Sequence, residues 1–212
     1  MWKRHAGSLD VVTDKGDGGT TKQIAHGLNA VPQMIWRKNR DGASDNWQVY
    51  HFGVNGGTTP HLYRLRLNTN NAENSDAYTW VNAPTATHFT VGSNGSINRN
   101  SDDFITILFA SVTGISSVGS YAGSSGTSIT TGFQPRFILI KRVDDSGDWF
   151  IFDSLRGINS STGGNDARLY LNETDDEFSN SDYVSVSSTG FTVNDYDVAS
   201  GSSTRFIYYA HA

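Results

Sequence analysis

Pro32-Gln-Met-Ile-Trp-Arg-Lys-Asn-Arg-Asp41 and Pro135-Arg-Phe-Ile-Leu-Ile-Lys-Arg-Val-Asp144 are two versions of one block. The agreement extends on both sides. Asp45-Asn-Trp-Gln-Val-Tyr50 matches Gly147-Asp-Trp-Phe-Ile-Phe152, and Arg64-Leu-Arg-Leu-Asn68 matches Arg168-Leu-Tyr-Leu-Asn172. His88-Phe-Thr-Val91 matches Gly190-Phe-Thr-Val193, and Phe104-Ile-Thr-Ile-Leu-Phe-Ala110 matches Phe206-Ile-Tyr-Tyr-Ala-His-Ala212. The spacing between partners drifts only inside Gly/Ser/Asn/Asp stretches, where loops tolerate insertion and strands do not. Residues 1–111 and 112–212 therefore read as two tandem copies of one unit.

Alternation inside the blocks is that of strands, because side chains two apart share a face of a sheet. Phe137 and Leu139 match Met34 and Trp36, apolar in both copies, whereas Ile140 is replaced by Arg37; this predicts that the first set faces the core. Trp47/Val49, Leu65/Leu67 and Phe89/Val91 pair with Trp149/Ile151, Leu169/Leu171 and Phe191/Val193 in the same way. Arg64 and Arg168, polar in both copies, are expected to point to solvent. About eight strands per copy follow, near 117–122, 127–131, 136–143, 148–153, 167–172, 182–187, 190–194 and 204–211 in the second. Asn39-Arg-Asp-Gly42, Asn55-Gly-Gly57, Ser93-Asn-Gly95, Asp144-Asp-Ser-Gly147 and Ser160-Ser-Thr-Gly-Gly164 supply turns between strands. No segment holds helical periodicity for more than about two turns. The expected fold is all-β: two antiparallel sandwiches, jelly-roll or immunoglobulin-like, related by internal duplication.

Composition agrees. The 212 residues are 17% charged and 12% aromatic with 22 glycines, a mixture suited to short strands joined by polar turns. A net charge of −5 without an extended basic stretch removes the electrostatic footprint of a nucleic-acid binder. With no cysteine there is no disulfide, thiolate nucleophile or Cys-based zinc site. No apolar run reaches the roughly 18 residues of a membrane helix, and no signal peptide is expected at the start.

Chemistry is hard to find. There is no Gly-x-Ser-x-Gly elbow, and Gly16-Asp-Gly-Gly19 lacks the spacing of a dinucleotide loop. His5, His26, His51, His61, His88 and His211 stand at no metal-ligand spacing, and none aligns with a histidine in the other copy. Asp144-Asp-Ser-Gly-Asp148 and Glu173-Thr-Asp-Asp-Glu177 could offer oxygen ligands to Ca²⁺, but neither has the calcium-loop pattern and turn formation accounts for both. No catalytic residue, metal or cofactor is expected, nor an enzyme. Trp47 and Trp149 recur, which suits packing. Trp36, Tyr63, Trp80 and Tyr170 do not match like with like, and with Arg37 they are the candidate surface-binding residues.

One resemblance remains. Ala25-His-Gly-Leu28, Pro32 to Asp41 and Asn46-Trp47, with Thr131-Gly-Phe133, Pro135 to Asp144 and Asp148-Trp149, resemble a domain common in virion proteins of tailed phages, marine ones especially. The Leu-Asn block and the terminal Phe-Ile strand extend the likeness over nearly the whole chain. The resemblance implies an external virion structural protein: a tail-fibre or receptor-binding module mediating host attachment, or alternatively a capsid decoration protein or a lectin-like carbohydrate-binding module. Its partners would be other virion proteins and a host-surface glycan or protein, on the exterior of the particle, with a homotrimer expected. The first copy departs from the pattern at Trp36-Arg37 and in the Val54–His61 insertion, where a function peculiar to this protein would be sought.

Overall fold

The computed structural model describes residues 5–42, 44–158 and 163–212; the first part of the turn expected at Ser160–Gly164 lies outside them. The chain is all-β, with antiparallel sheets and, among the described residues, two single-turn α-helices. It divides into two compact units. Unit 1 holds the described residues up to Asn68 together with Glu73–Ser111, and unit 2 holds Val112–Ala212 together with Thr69–Ala72.

Unit 1 contains β1 (Leu9–Lys15), β2 (Lys22–Ala25), β3 (Met34–Asn39), β4 (Gln48–His51), β5 (Tyr63–Arg66), β6 (Asn74–Ser75), β7 (Trp80–Asn82), β8 (His88–Val91), α1 (Gly95–Asn98) and β9 (Asp103–Phe109). The larger sheet runs β1-β9-β3-β4-β5-β6 and the smaller β2-β8-β7. Unit 2 contains β10 (Ser116–Ala122), β11 (Thr127–Thr130), β12 (Phe137–Arg142), β13 (Trp149–Asp153), β14 (Leu169–Tyr170), β15 (Val184–Ser187), β16 (Gly190–Val193), α2 (Tyr196–Ala199) and β17 (Arg205–His211). Its sheets run β10-β17-β12-β13-β14 and β11-β16-β15. The Val54–His61 insertion of unit 1 contains two 3-10 turns, Val54–Gly57 and Pro60–Leu62.

Each unit packs its two sheets face to face around one apolar interior, the arrangement that removes one face of each sheet from water. In unit 2 the interior takes Ile138, Ile140, Phe150, Phe152, Val184, Phe191, Phe206 and Tyr208. In unit 1 it takes Ile24, Ile35, Tyr50, Trp80, Phe89, Val91 and Leu108. Full burial of each such side chain contributes about 1.5–3 kcal/mol.

This corrects the expected core face. Met34, Trp36 and Leu139 are buried, but on the side of the larger sheet away from the sandwich interior, which is lined instead by Ile35 and Arg37 in unit 1 and by Ile138 and Ile140 in unit 2. Arg37 accounts for the difference: an arginine ordinarily marks a solvent-facing position, but this side chain is 0% exposed. It can be buried because every part of the guanidinium is bonded. Nη1 and Nη2 donate to Asp14 at 2.6 and 3.0 Å, Nη1 also donates to Thr106 Oγ1 at 2.7 Å, and Nε donates to the Ile97 carbonyl at 2.8 Å. The Phe104 ring lies 4.3 Å beneath it.

Unit 2 solves the same problem without charge. By strand register Ile140 stands where Arg37 does, Tyr121 where Asp14 does and Tyr208 where Thr106 does. The carbonyl at the equivalent turn of the short helix, that of Val198, accepts from the Tyr121 hydroxyl at 2.7 Å.

The other two arginines are corrected as well. Arg64 is paired with Asp76 at 2.9 Å, its side chain only 15% exposed. Arg168 lies 4.3 Å from the Tyr170 ring and 5.4 Å from those of Phe178 and Tyr183, donating to the Tyr183 hydroxyl at 2.7 Å. Leu171 is exposed, unlike its match Leu67.

The repeated Leu-Asn and Asn/Asp-Trp blocks have a common purpose. Asn68 accepts from the Trp47 amide at 3.0 Å and donates to Asn46 at 2.8 Å; Asn172 accepts from the Trp149 amide at 2.7 Å and donates to Asp148 at 2.7 Å. In both units one asparagine satisfies the backbone where β4 or β13 begins, fixing the adjoining turn.

Candidate functional site

The turn between β12 and β13, the end of β14 and the outer side of α2 enclose an open cleft of about 150 Å³ in unit 2. Its walls are Arg142, Asp148, Phe150, Tyr170, Tyr196 and Asp197, with Ser146, Gly147 and Ser200 completing the rim. α2 is positioned by opposite demands on its faces. Val198 and Ala199 are buried in the core, and the Asp195 side chain caps the start by accepting from the Asp197 amide at 2.8 Å. Tyr196 and Asp197 are thereby turned outward, and Tyr196 is 73% exposed.

The charges divide into spent and unspent groups. Arg142 is held by Asp144 at 3.1 Å and Asp145 at 3.6 Å. Burial alone would raise the Asp144 carboxyl, but the Arg142 hydrogen bond and the Arg205 amide bring it below its ordinary value. Asp148 is bonded to Asn172. Asp197 has no side-chain hydrogen bond among the described residues; partial desolvation and then the neighbouring Asp195 charge push its carboxyl up. The Tyr170 ring meets Phe150 edge-on at 5.0 Å, and desolvation raises its hydroxyl to about 12.

The matching place in unit 1 is bridged by the chain itself. Gln48 and Ser96, which stand where Phe150 and Asp197 do, are joined by a hydrogen bond of 3.0 Å. Arg99, at the position of Ser200, rests against Asp45 at 3.3 Å and Asp102 at 3.4 Å.

Of the candidate surface residues, only Tyr170 belongs to this cleft. Trp36, 7% exposed, packs on Phe109 at 4.8 Å; Trp80, 2% exposed, meets Tyr50 edge-on; Arg37 is enclosed in its ion pair. None of these three can form a surface platform. Tyr63 is half-buried in β5 opposite Ser75. Tyr196, Asp197 and Phe150 went unnoticed in the sequence, although Asp195-Tyr-Asp197 standing against Asn94-Gly-Ser96 is a visible difference between otherwise matching stretches. A second open concavity, of about 330 Å³, is lined by Arg168, Asp175, Asp176, Glu177 and Phe178, but among the described residues no three His, Asp or Glu side chains converge as metal ligands.

Lys141, next to the cleft's Arg142, is fully buried, its Nζ donating to the Arg142 carbonyl at 2.6 Å. Burial lowers its ammonium from 10.5 to about 8, against the partial opposition of Asp148. The folded chain thus releases this proton near pH 8 while the unfolded chain keeps it until about 10.5, so stability should rise with pH above 8. Tyr50 and Tyr209, raised by burial to about 12, act oppositely once unfolded tyrosine ionises near 10. Urea midpoints should therefore increase from pH 7.5 to 9.5 and fall beyond, and Lys141→Met should abolish the increase; an unchanged increase in that variant would refute the assignment.

No curated protein and no solved structure matches the chain. The model of the domain of unknown function DUF7483 matches residues 4–212, and the chain belongs to that family.

Proposed function

We propose that the chain is a non-enzymatic binding module on the exterior of a bacteriophage particle, a tail-fibre or receptor-binding element whose two sandwiches descend from one duplicated unit. The duplication is supported by the matched sequence blocks and by strand orders that correspond sheet for sheet, β6 excepted. The placement on a virion rests on the resemblance of the Pro32–Asp41 and Pro135–Asp144 blocks. Attachment is favoured by one observation: the open cleft of unit 2, with an exposed tyrosine and hydrogen-bonding capacity left unspent on a rigid sheet edge.

Adsorption is the test. Purified chain should compete with intact phage for host cells, and antibody against it should label the tail tip. Label confined to the head, with no competition, would replace attachment by capsid decoration. The homotrimer is part of the proposal, and light scattering that finds only monomer at micromolar concentration would remove it.

A further inference from the structure

The chain holds two Asn-Gly pairs, Asn55-Gly56 in the insertion of unit 1 and Asn94-Gly95 at the start of α1. In such a pair the asparagine is prone to lose its side-chain amide, because glycine puts no side chain between its own backbone nitrogen and the asparagine Cγ. The two pairs share this intrinsic chemistry, and the fold treats them in opposite ways.

Asn94 is locked. Its Oδ1 accepts from the Ser96 amide at 3.0 Å and the Ser96 hydroxyl at 2.8 Å, and its Nδ2 donates to Asp76 at 3.2 Å and Thr79 at 3.1 Å. Its carbonyl accepts from the Ile97 and Asn98 amides at 3.0 Å each. Turning the peptide that follows it would unwind a helix whose Ile97 and Asn98 are buried. Asn55 is loosely held. Its side chain makes one hydrogen bond among the described residues, from Nδ2 to the Thr58 carbonyl at 2.7 Å. Asn55, Gly56 and Gly57 stand in the left-handed region at φ of 50°, 62° and 80°. Residues 56–59 are exposed, and beyond its chain neighbours no atom lies within 4 Å of where a Cβ on Gly56 would be. The Gly56 peptide can therefore rotate at the expense of one turn bond, from the Thr58 amide to the Asn55 carbonyl at 3.1 Å.

We infer that Asn55 is a site of spontaneous deamidation in the folded protein and that Asn94 is shielded from it. The Gly56 nitrogen gives its proton to solvent base and attacks Asn55 Cγ. The Cγ–Nδ2 bond breaks, the nitrogen leaves as ammonia with a proton from water, and a five-membered succinimide closes. Water then opens either imide bond, leaving aspartate or isoaspartate at position 55. One water is consumed and one ammonia released, without oxidant or reductant. The Asn55 amide donates to Glu73 at 2.7 Å, so the new carboxylate arises on the residue that already holds one, and isoaspartate also lengthens the main chain there. The inference stands apart from the attachment reading.

The test is incubation of the full chain in mildly alkaline buffer made with heavy-oxygen water, followed by peptide mapping by mass spectrometry. Ammonia loss with uptake of solvent oxygen should be at least about tenfold faster at Asn55 than at Asn94, whose extra hydrogen bonds must break first. In urea-unfolded chain the two rates should converge, because only the fold distinguishes the sites. Gly56→Ala should suppress the reaction at Asn55 in the unfolded chain too, identifying that backbone nitrogen as the nucleophile. Equal rates in the folded chain, or a faster reaction at Asn94, would overturn the inference. So would an Asn55 that stays intact in the folded chain over the time in which the unfolded chain reacts.

Discussion

Replacing Asp14 by alanine should cost about 3–5 kcal/mol of folding stability, because it strips the partner from a charge that has no route to water. Arg37 is 0% exposed and Asp14 only 13%, and their bidentate bond is the main compensation for taking the guanidinium into the interior. Lys22 would lose its 2.8 Å partner as well. Replacing both members, as in Asp14→Leu with Arg37→Met, should recover much of the loss, since a well-packed apolar pair avoids desolvation altogether. Recovery should stop short of wild type by about 1–3 kcal/mol, the cost of leaving the Ile97 carbonyl without its donor. Unit 2 shows why that residual matters: with Ile140 in the arginine's place, the Val198 carbonyl is still satisfied, by Tyr121.

Acid titration gives the same prediction an independent reading. Burial would raise the Asp14 carboxyl, but Arg37 and then Lys22 overcome it and hold it below its ordinary 3.8. The stabilisation is therefore present above 3.8 and is lost as pH falls through the lower folded value. Wild type should lose stability across that window, and Asp14→Ala should lack this component. Urea denaturation at neutral pH that gives a cost under about 1 kcal/mol would mean a solvated surface pair, contrary to the burial seen here.

The ion pair also explains what could be read from the sequence. Strands were legible because hydrophobic alternation, turn residues and the repeated blocks agreed, and β10 to β17 fall on the eight expected segments of the second copy. The facing was inverted because both sides of the larger sheet carry buried residues, so alternation could not distinguish them and Arg37 became the deciding residue. Nothing local to Arg37 reports its partner, 23 residues earlier on a strand that reaches it only across β9. The cleft was hidden for a related reason. Its walls come from β12, β13, β14 and α2, brought together by sheet order; the sequence singled out Tyr170 as a surface candidate and the Asp144–Asp148 turn as a possible ligand set, with nothing to join the two. Trp36 and Trp80 have no aromatic match in the other half of the sequence, yet a difference at a buried position records a different packing solution.

One such packing exchange carries the second large effect. Gly119→Val should destabilise the protein by about 2–3 kcal/mol, because the space beside Gly119 already belongs to an aromatic ring. A Cβ at this position would lie 2.4 Å from Cε1 of Tyr208 and 2.5 Å from its Cζ and hydroxyl oxygen. Tyr208 has little freedom to yield, being 7% exposed, edge-on to Phe191 at 5.4 Å and hydrogen-bonded to Ser117 at 3.0 Å. The equivalent cross-strand pair in unit 1 is Val12 with Thr106, a larger residue on the edge strand facing a smaller one on its neighbour. The two pairs divide one volume in opposite ways. Tyr208→Thr alone should also be costly, about 3–4 kcal/mol, since the ring leaves a cavity in the core. In the double variant the valine would occupy part of that cavity, so the combined cost should fall short of the two single costs added together by about 1–2 kcal/mol. A double-mutant cycle in urea measures that shortfall, and single costs that add within about 0.5 kcal/mol would show that the two positions do not share the space.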